Sequence, residues 1–433
     1  MEDPAPETPP SLSYGQALAD RRVFGLILGD LLATVGTGML IVAMPVQTLA
    51  IHGRVAKPIA IGLVETAPYA LAAVLALAIG VGRLRILPRT VLIADSVSRS
   101  VVLGVLGLLA VTHRLSLVVL IIGLLLGSVF RIAGSSSRRL LATAIAGDRG
   151  RYAVNGLLGL NVTIALYILG PVIGGVIVAV TSPGVALFCD AAGALLLLAA
   201  VLATTRRAVV AEPRSRAGRE SGLRILRRRP VAARLLVVEF FFNFFYMPVE
   251  IALPLLVRGR LHADASALGA MWGALGVGAF LGAALVDRLR RLPQRHLLIA
   301  IIGLWAACPI ALALVTTLPA AMIVFALGGL VYAPFTPVAY SFLQSGLRDD
   351  EQQQVVTLWT TGSTVAAPLG LLVGGPLILF AGTSGGLVLS GVLTALLVPI
   401  AAYAVLRRRE PAVVDPADHQ VIRNREAGTP GRP

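Results

Sequence analysis

The feature that most restricts this chain is a succession of apolar stretches, each near the length that crosses a bilayer. A helix needs about 20 mostly apolar residues to pass through the hydrocarbon core. Twelve such stretches follow one another, near 23–50, 59–82, 90–111, 115–135, 153–180, 184–204, 235–257, 266–286, 296–316, 319–342, 355–380 and 385–406. Composition agrees: 57% of the 433 residues are hydrophobic and only 14% charged, too little polar surface to cover a soluble globule. Cys189 and Cys308 both lie inside apolar stretches, which excludes a disulfide framework and a cysteine-based metal site. His52, His113, His262, His296 and His419 fall at loops or termini without metal-ligand spacing. No Gly-rich phosphate loop with its lysine is present, so neither a cofactor nor direct ATP drive is expected. The residues before Arg21 are acidic and Pro-rich, unlike a cleavable signal peptide. The expected fold is an all-α polytopic membrane protein of twelve transmembrane helices.

The basic residues orient it. With both termini cytoplasmic, the outer loops hold only Arg54, Lys57, Arg114, Arg258 and Arg260 of the 37 basic residues. The positive-inside rule favours that arrangement in a cell membrane. The net charge of +15 therefore sits mostly at the inner surface. Thr204 to Arg234 carries ten arginines without interleaved aromatics. It suits a linker held near anionic headgroups better than a nucleic-acid site. The chain divides into a cytoplasmic tail (1–22), a six-helix half (23–204), a basic linker (205–234), a second six-helix half (235–406) and a second tail (407–433). The pairs Gly269/Gly273 and Gly278/Gly282 each place small residues on one helical face, as close packing in lipid favours.

An internal repeat links the halves. The loop Val81-Gly-Arg-Leu-Arg-Ile-Leu-Pro88 matches Val286-Asp-Arg-Leu-Arg-Arg-Leu-Pro293 at six of eight positions. Gly170, Gly174 and Gly175 match Gly370, Gly374 and Gly375, and Pro45 matches Pro254. Twelve spans, a basic central linker and a D-R-x-R-R loop resemble the major facilitator superfamily. Gly170-Pro171-Val-Ile-Gly174-Gly175 resembles part of the span-five motif of its exporters, with Leu166 in place of a preceding Gly. The run from Ser135 through Gly147-Asp-Arg to Asn155 and Gly175, with Phe188-Cys-Asp190, is similar to the enterobactin-exporter and macrolide-efflux branch. The resemblance implies two pseudo-symmetric halves around a central cavity lined by spans one, four, seven and ten. It also implies a gating loop of Arg83, Asp287, Arg288 and Arg291. Gly82 stands where the superfamily has an Asp, so that acid's gating role passes only to Asp287.

Charges within spans need a reason, because each costs about 2.5–3.5 kcal/mol at mid-bilayer on insertion scales. Asp30, Thr34, Thr37 and Ile41 share one helical face. Their repeat counterparts Glu239, Asn243, Tyr246 and Glu250 share another. Such stripes suit either a polar cavity or interhelical hydrogen bonds. Asp30, Glu239 and Arg131 are the expected proton-coupling residues, with Arg131 near the level of Asp30 either as an ion-pair partner that protonation of Asp30 releases or snorkelling to the inner surface. Glu65 is a second proton site, a partner for a cationic substrate, or structural. Asp95 and Arg99, four residues apart, are expected to pair with each other, and Asp190 to serve packing. Tyr332 joins Tyr246 as an aromatic able to contact an apolar ligand.

The expected function is secondary transport: export of a small amphipathic or lipophilic molecule, a drug, siderophore or metabolite, in exchange for protons. The protein would work as a monomer in the bilayer, with no nucleic acid partner. Proton-symport uptake and a non-transporting sensor on the same fold remain the alternatives. No catalytic constellation of His, Cys or Ser supports an enzyme.

Overall fold

The computed structural model describes residues 12–80, 86–205, 222–289 and 291–406, and the chain is helical through nearly all of them. A short helix α1 (Tyr14–Ala19) precedes α2 (Arg21–Ile51), α3 (Lys57–Gly80), α4 (Pro88–Val111), α5 (Leu117–Gly127) and α6 (Arg131–Asn161). A π-helical stretch, Val162–Leu169, leads into α7 (Gly170–Val180) and then α8 (Pro183–Thr204). The second half comprises α9 (Gly222–Arg228), α10 (Pro230–Gly259), α11 (Ala265–Leu289), α12 (Gln294–Leu314), α13 (Leu318–Tyr332), α14 (Phe335–Ser345), α15 (Asp349–Ala395) and α16 (Leu397–Leu406). Ten stretches of the described residues are long and apolar enough to cross a membrane. Two of them, Leu117–Val180 with 64 residues and Glu351–Tyr403 with 53, are far too long for one crossing of about 30 Å. Each contains one left-handed glycine, Gly147 at φ 67° and Gly382 at φ 75°. Only glycine adopts that backbone without strain, and there the chain doubles back. Divided at these two turns, the ten stretches become twelve segments.

Two boundaries differ from the sequence expectation. The fourth span does not end at 135: α6 continues through Arg138 to the turn at Gly147. The polar run Ser135–Arg139 reads as a membrane surface, yet half-buried Arg138 and exposed Ser135 and Arg139 line an open chamber of the first half. The expected linker also turns helical before its end, with α9 at Gly222 and α10 from Pro230. There Arg229 pairs with Glu351 at 3.0 Å. The proposed linker residues 206–221 and both distal tails, 1–11 and 407–433, lie outside the described residues, as does the loop 81–85 with Gly82 and Arg83. Asp264, just before α11, accepts from the Ser266 and Ala267 amides at 3.0 and 3.2 Å. Those bonds and the Ser266 hydroxyl hold its carboxyl below the usual carboxylate range.

The halves meet along glycines. A Cβ on Gly175 would lie 2.7 Å from the Ala265 carbonyl oxygen, and one on Gly269 would press still harder on that of Pro171. Side chains there would force α7 and α11 apart. Gly170 and Gly174 meet Gly38 and Met39 of α2 in their own half. The repeat copies make equivalent contacts: Gly370 and Gly374 meet Met247 and Pro248 of α10, while Gly375 crosses to Pro58 and Ile59 of α3. Pro171 has no N–H to return to the Tyr167 carbonyl, and Gly276 fits against that oxygen. Thr66 donates to the Pro368 carbonyl at 3.3 Å on the opposite flank. The Gly175–Ala265 and Gly375–Pro58 contacts lie at the end of the bundle that bears loops 52–56 and 260–264.

Candidate functional site

A cavity of about 1180 Å³, solvent at its mouth included, lies between the halves. The first half contributes Thr37, Glu65, Tyr69, Arg99, Arg131 and Tyr167, and the second Glu250, Pro254 and Trp272. Helix α3 brings Glu65 to the wall one turn before Pro68, and α10 brings Glu250 one turn before Pro254. The Glu65 carboxyl feels two charges, Glu250 across the cavity and Arg131. The Arg131 guanidinium lies over the Tyr69 ring, 5.1 Å from its centroid. A cation on an aromatic face is attracted by the ring's negative quadrupole, worth about 0.5–2 kcal/mol. Arg99 and Asp190 also line the chamber but pair with each other, so Glu65 and Glu250 are left to share Arg131.

A second chamber adjoins it, lined only by first-half residues: Asp30, Thr34, Asp95, Ser135, Arg138, Arg139, Leu158 and Val162 among them. Thr37, Arg99, Arg131 and Leu166 line both chambers and form the neck between them.

Here the structure corrects two pairings. Asp30, only 3% exposed, does not pair with Arg131. Arg138 donates to its Oδ1, and Asn161 Nδ2 donates to its Oδ2 at 2.8 Å. The longer α6 places Arg138 inside the bundle, where a span ending at 135 would have put it at the surface. Nor does Arg99 pair with Asp95. It crosses to Asp190 of α8, which is wholly buried, and also donates to Thr37 and to the Ala33 carbonyl at 3.0 Å. Asp190 is therefore an ion-pair partner as well as a packing group. A Cβ on Gly36 would lie 2.7 Å from Asp190, so α2 needs glycine there.

The matching region of the second half is built differently. Glu239, also 3% exposed, accepts from the Ser363 hydroxyl at 2.7 Å, and its Oε2 has no hydrogen-bond partner among the described residues. Asn243 donates to the Glu239 carbonyl at 2.9 Å and accepts from the Tyr332 hydroxyl at 3.3 Å. Tyr332, Tyr246 and Trp305 pack with ring centroids 5.0–5.4 Å apart, and Phe242 stacks between Tyr332 and Phe335. Buried Tyr246 and half-buried Asn243 and Tyr332 thus form one connected cluster beside Glu239. Asp287 and Arg288 are exposed at the end of α11, and Arg291 in the turn beyond. Sequence reasoning missed Tyr69, Tyr167, Asn161 and Ser363. Nothing in spacing distinguishes them from ordinary span residues.

A family model described as transmembrane secretion effector matches residues 17–376. The chain belongs to that family. The chain is 29% identical over 373 residues to the multidrug efflux pump Tap of Mycolicibacterium fortuitum, covering 81% of this chain and 88% of that protein. It is 28% identical over 418 residues to Tap of Mycobacterium tuberculosis, covering 90% and 93%. Its fold matches an auto-inhibited peptide transporter with a TM-score of 0.72 at 12% identity, covering 92% of this chain and 99% of the other. It is a multi-pass secondary transporter of the major facilitator superfamily that carries small molecules, and that family is not an enzyme class.

Proposed function

We propose that this protein exports lipophilic or amphipathic cations, drugs among them, in exchange for protons. The observation that carries the reading is the pair Glu65 and Glu250, one from each half, facing a shared cavity with Arg131 as the nearby cation. Coulomb repulsion in a low-dielectric chamber opposes two bare carboxylates beside Arg131 alone, since Arg99 is already neutralised by Asp190. A second positive charge is needed, and either a proton or a substrate cation can supply it. Competition for the same carboxylates is antiport.

The basic residues favour a cytoplasmic location for both termini in the plasma membrane, which makes the seam the outer gate and this conformation inward-facing. In that state the carboxyls lose protons to the cytoplasm and take up the cation. The halves then rock about the site, outer protons displace the cargo, and the protonated carrier returns. Glu239 is a second proton site, since no cation among the described residues reaches it. Asp30, held by Arg138 and Asn161, is the more fixed acid. The Tap relatives, named as multidrug efflux pumps, support drugs as cargo. One six-plus-six chain holds the whole cavity, which supports a functional monomer.

The test is purified protein in liposomes loaded with ethidium. An imposed pH gradient should drive ethidium across the membrane, and an uncoupler should abolish movement. Glu65→Gln and Glu250→Gln should each reduce gradient-driven movement at least tenfold. Movement that ignores the gradient would overturn proton coupling, and accumulation with the gradient reversed in sense would favour uptake.

A further inference from the structure

Among the described residues, Asp95 is the one acid of the inner chamber left without a partner on one of its oxygens. Its side chain is 3% exposed, and Oδ1 accepts no hydrogen bond. Burying a carboxylate oxygen without a partner is costly, so the position calls for a second occupant or a proton. Four charged groups act on it: Arg99 of its own helix, Arg138 and Arg131 of α6, and Asp190 of α8. Asp30 of α2 and Arg139 line the same chamber. Two of the guanidiniums are committed elsewhere, Arg99 to Asp190 and Arg138 to Asp30. Arg131 makes no ion pair among the described residues and rests on Tyr69 beside Glu65.

Geometry brings Arg131 and Asp95 together. A Cβ on Gly134 would lie 2.7 Å from the Asp95 carboxyl carbon, so α6 rests directly on this acid. Residues three apart share a helical face, which puts Arg131 one turn from that contact. Arg131 also stands in the neck, with Glu65 on one side and Asp95 on the other.

We propose that Asp95 is the docking site for Arg131 in a second position, holding a proton while the arginine sits over Tyr69. A substrate cation settling between Glu65 and Glu250 repels Arg131 from the central chamber. The guanidinium swings through the neck to Asp95, whose proton leaves toward the terminus-bearing end as the ion pair forms. Asp95 is thus a positioning residue for Arg131, and cargo binding at one chamber releases a proton from the other. The inference rests on the export reading for its trigger, although the docking itself does not require transport.

Infrared spectroscopy of the protein in lipid nanodiscs tests it. At neutral pH the wild type should show, among the carbonyl bands of protonated buried carboxyls, an aspartate band absent from Asp95→Asn. Isotopic labelling of aspartate carboxyl carbons should shift that band in the wild type, which identifies an aspartate even if the variant fails to fold. Ethidium should abolish the band in the wild type and leave it in Arg131→Gln. Proton release on ethidium addition should fall by one per protein in Asp95→Asn and in Arg131→Gln, and by no more in the double variant. A spectrum with no aspartate-derived band, or identical proton counts in all four proteins, would overturn the proposal. Loss of gradient-driven ethidium movement with these signals intact would instead sink the export reading.

Discussion

Asp30 and Glu239 occupy matching positions of the two repeat copies and share the same burial, yet they are neutralised in opposite ways. The first half encloses its acid with the Arg138 guanidinium and the Asn161 amide. The second gives its acid a single hydroxyl, that of Ser363. A duplicated scaffold has therefore kept the position of a buried carboxyl while changing its counter-charge. A guanidinium is a permanent cation, whereas a site with only Ser363 and one unpartnered oxygen must obtain its positive charge from outside. The first arrangement fixes structure, and the second is suited to a proton that comes and goes.

The largest expected effect tests the fixed pair. Arg138→Ala strands a buried carboxylate and should cost about 3–5 kcal/mol. Thermal unfolding in detergent would show it. Adding Asp30→Asn should recover most of the loss, because the uncompensated charge goes with it. A double variant no more stable than Arg138→Ala would mean that the pair is not what holds α2 to α6.

The glycine seam allows a second comparison between the halves. Valine at either crossing glycine overpacks the contact, for about 1–3 kcal/mol. Gly175→Val should be the worse of the two, since a Cβ there meets backbone at 2.7 Å against 2.9 Å at Gly375. Both should also open the loop-bearing end. Thiol labelling of Ala265→Cys, in a background lacking Cys189 and Cys308, should rise in each. Equal labelling in seam variants and parent would remove the glycines as the outer gate.

Much of this was legible in the sequence because hydrophobic length and repeat spacing are physical constraints on any spanning chain. The seam glycines, the repeat and the positions of Glu65, Glu239 and Glu250 follow from them. The pairings did not. Hydropathy ends a span at Ser135–Arg139 because it scores polarity without knowing which face meets lipid, and a span ended there leaves Arg138 at the surface. Spacing alone also favoured Asp95 with Arg99, four residues apart. It could not anticipate that Asp190 of α8 would claim the guanidinium and leave Asp95 against Gly134. Ion-pair choice in a bundle is decided by which helices touch, and one chain's spacing does not specify that.

The unfixed acid should respond in function before stability. Glu239→Gln keeps an oxygen for the Ser363 hydroxyl and removes only the titrating proton, so unfolding should change by less than about 1 kcal/mol. Gradient-driven ethidium movement should fall severalfold, with its dependence on pH flattened. Destabilisation matching that of Arg138→Ala would erase the contrast between the halves, since it would make Glu239 a structural ion as well.

The smallest effect belongs to the loops where the copies differ most plainly in sequence, Gly82 in one and Asp287 in the other. Asp287 is exposed at the end of α11, followed by Arg288 and, in the next turn, Arg291. Exposed ion pairs contribute only about 0–1 kcal/mol, so Asp287→Asn should leave the unfolding temperature nearly unchanged. An acid at a helix end can still bias two conformations, because a difference of that size shifts their ratio severalfold. If Asp287 helps close the terminus-bearing end, its amide variant should spend more time with that end open and turn over more slowly. Gly82→Asp restores an acid beside Arg83 and Arg85 and should shift the ratio the other way. Thiol labelling from the terminus side, with a cysteine at Ser135 as reporter, should rise in Asp287→Asn and fall in Gly82→Asp. Unchanged labelling in both would leave Asp287 as a solvated helix-end charge, and the asymmetry between the loops would have no part in gating.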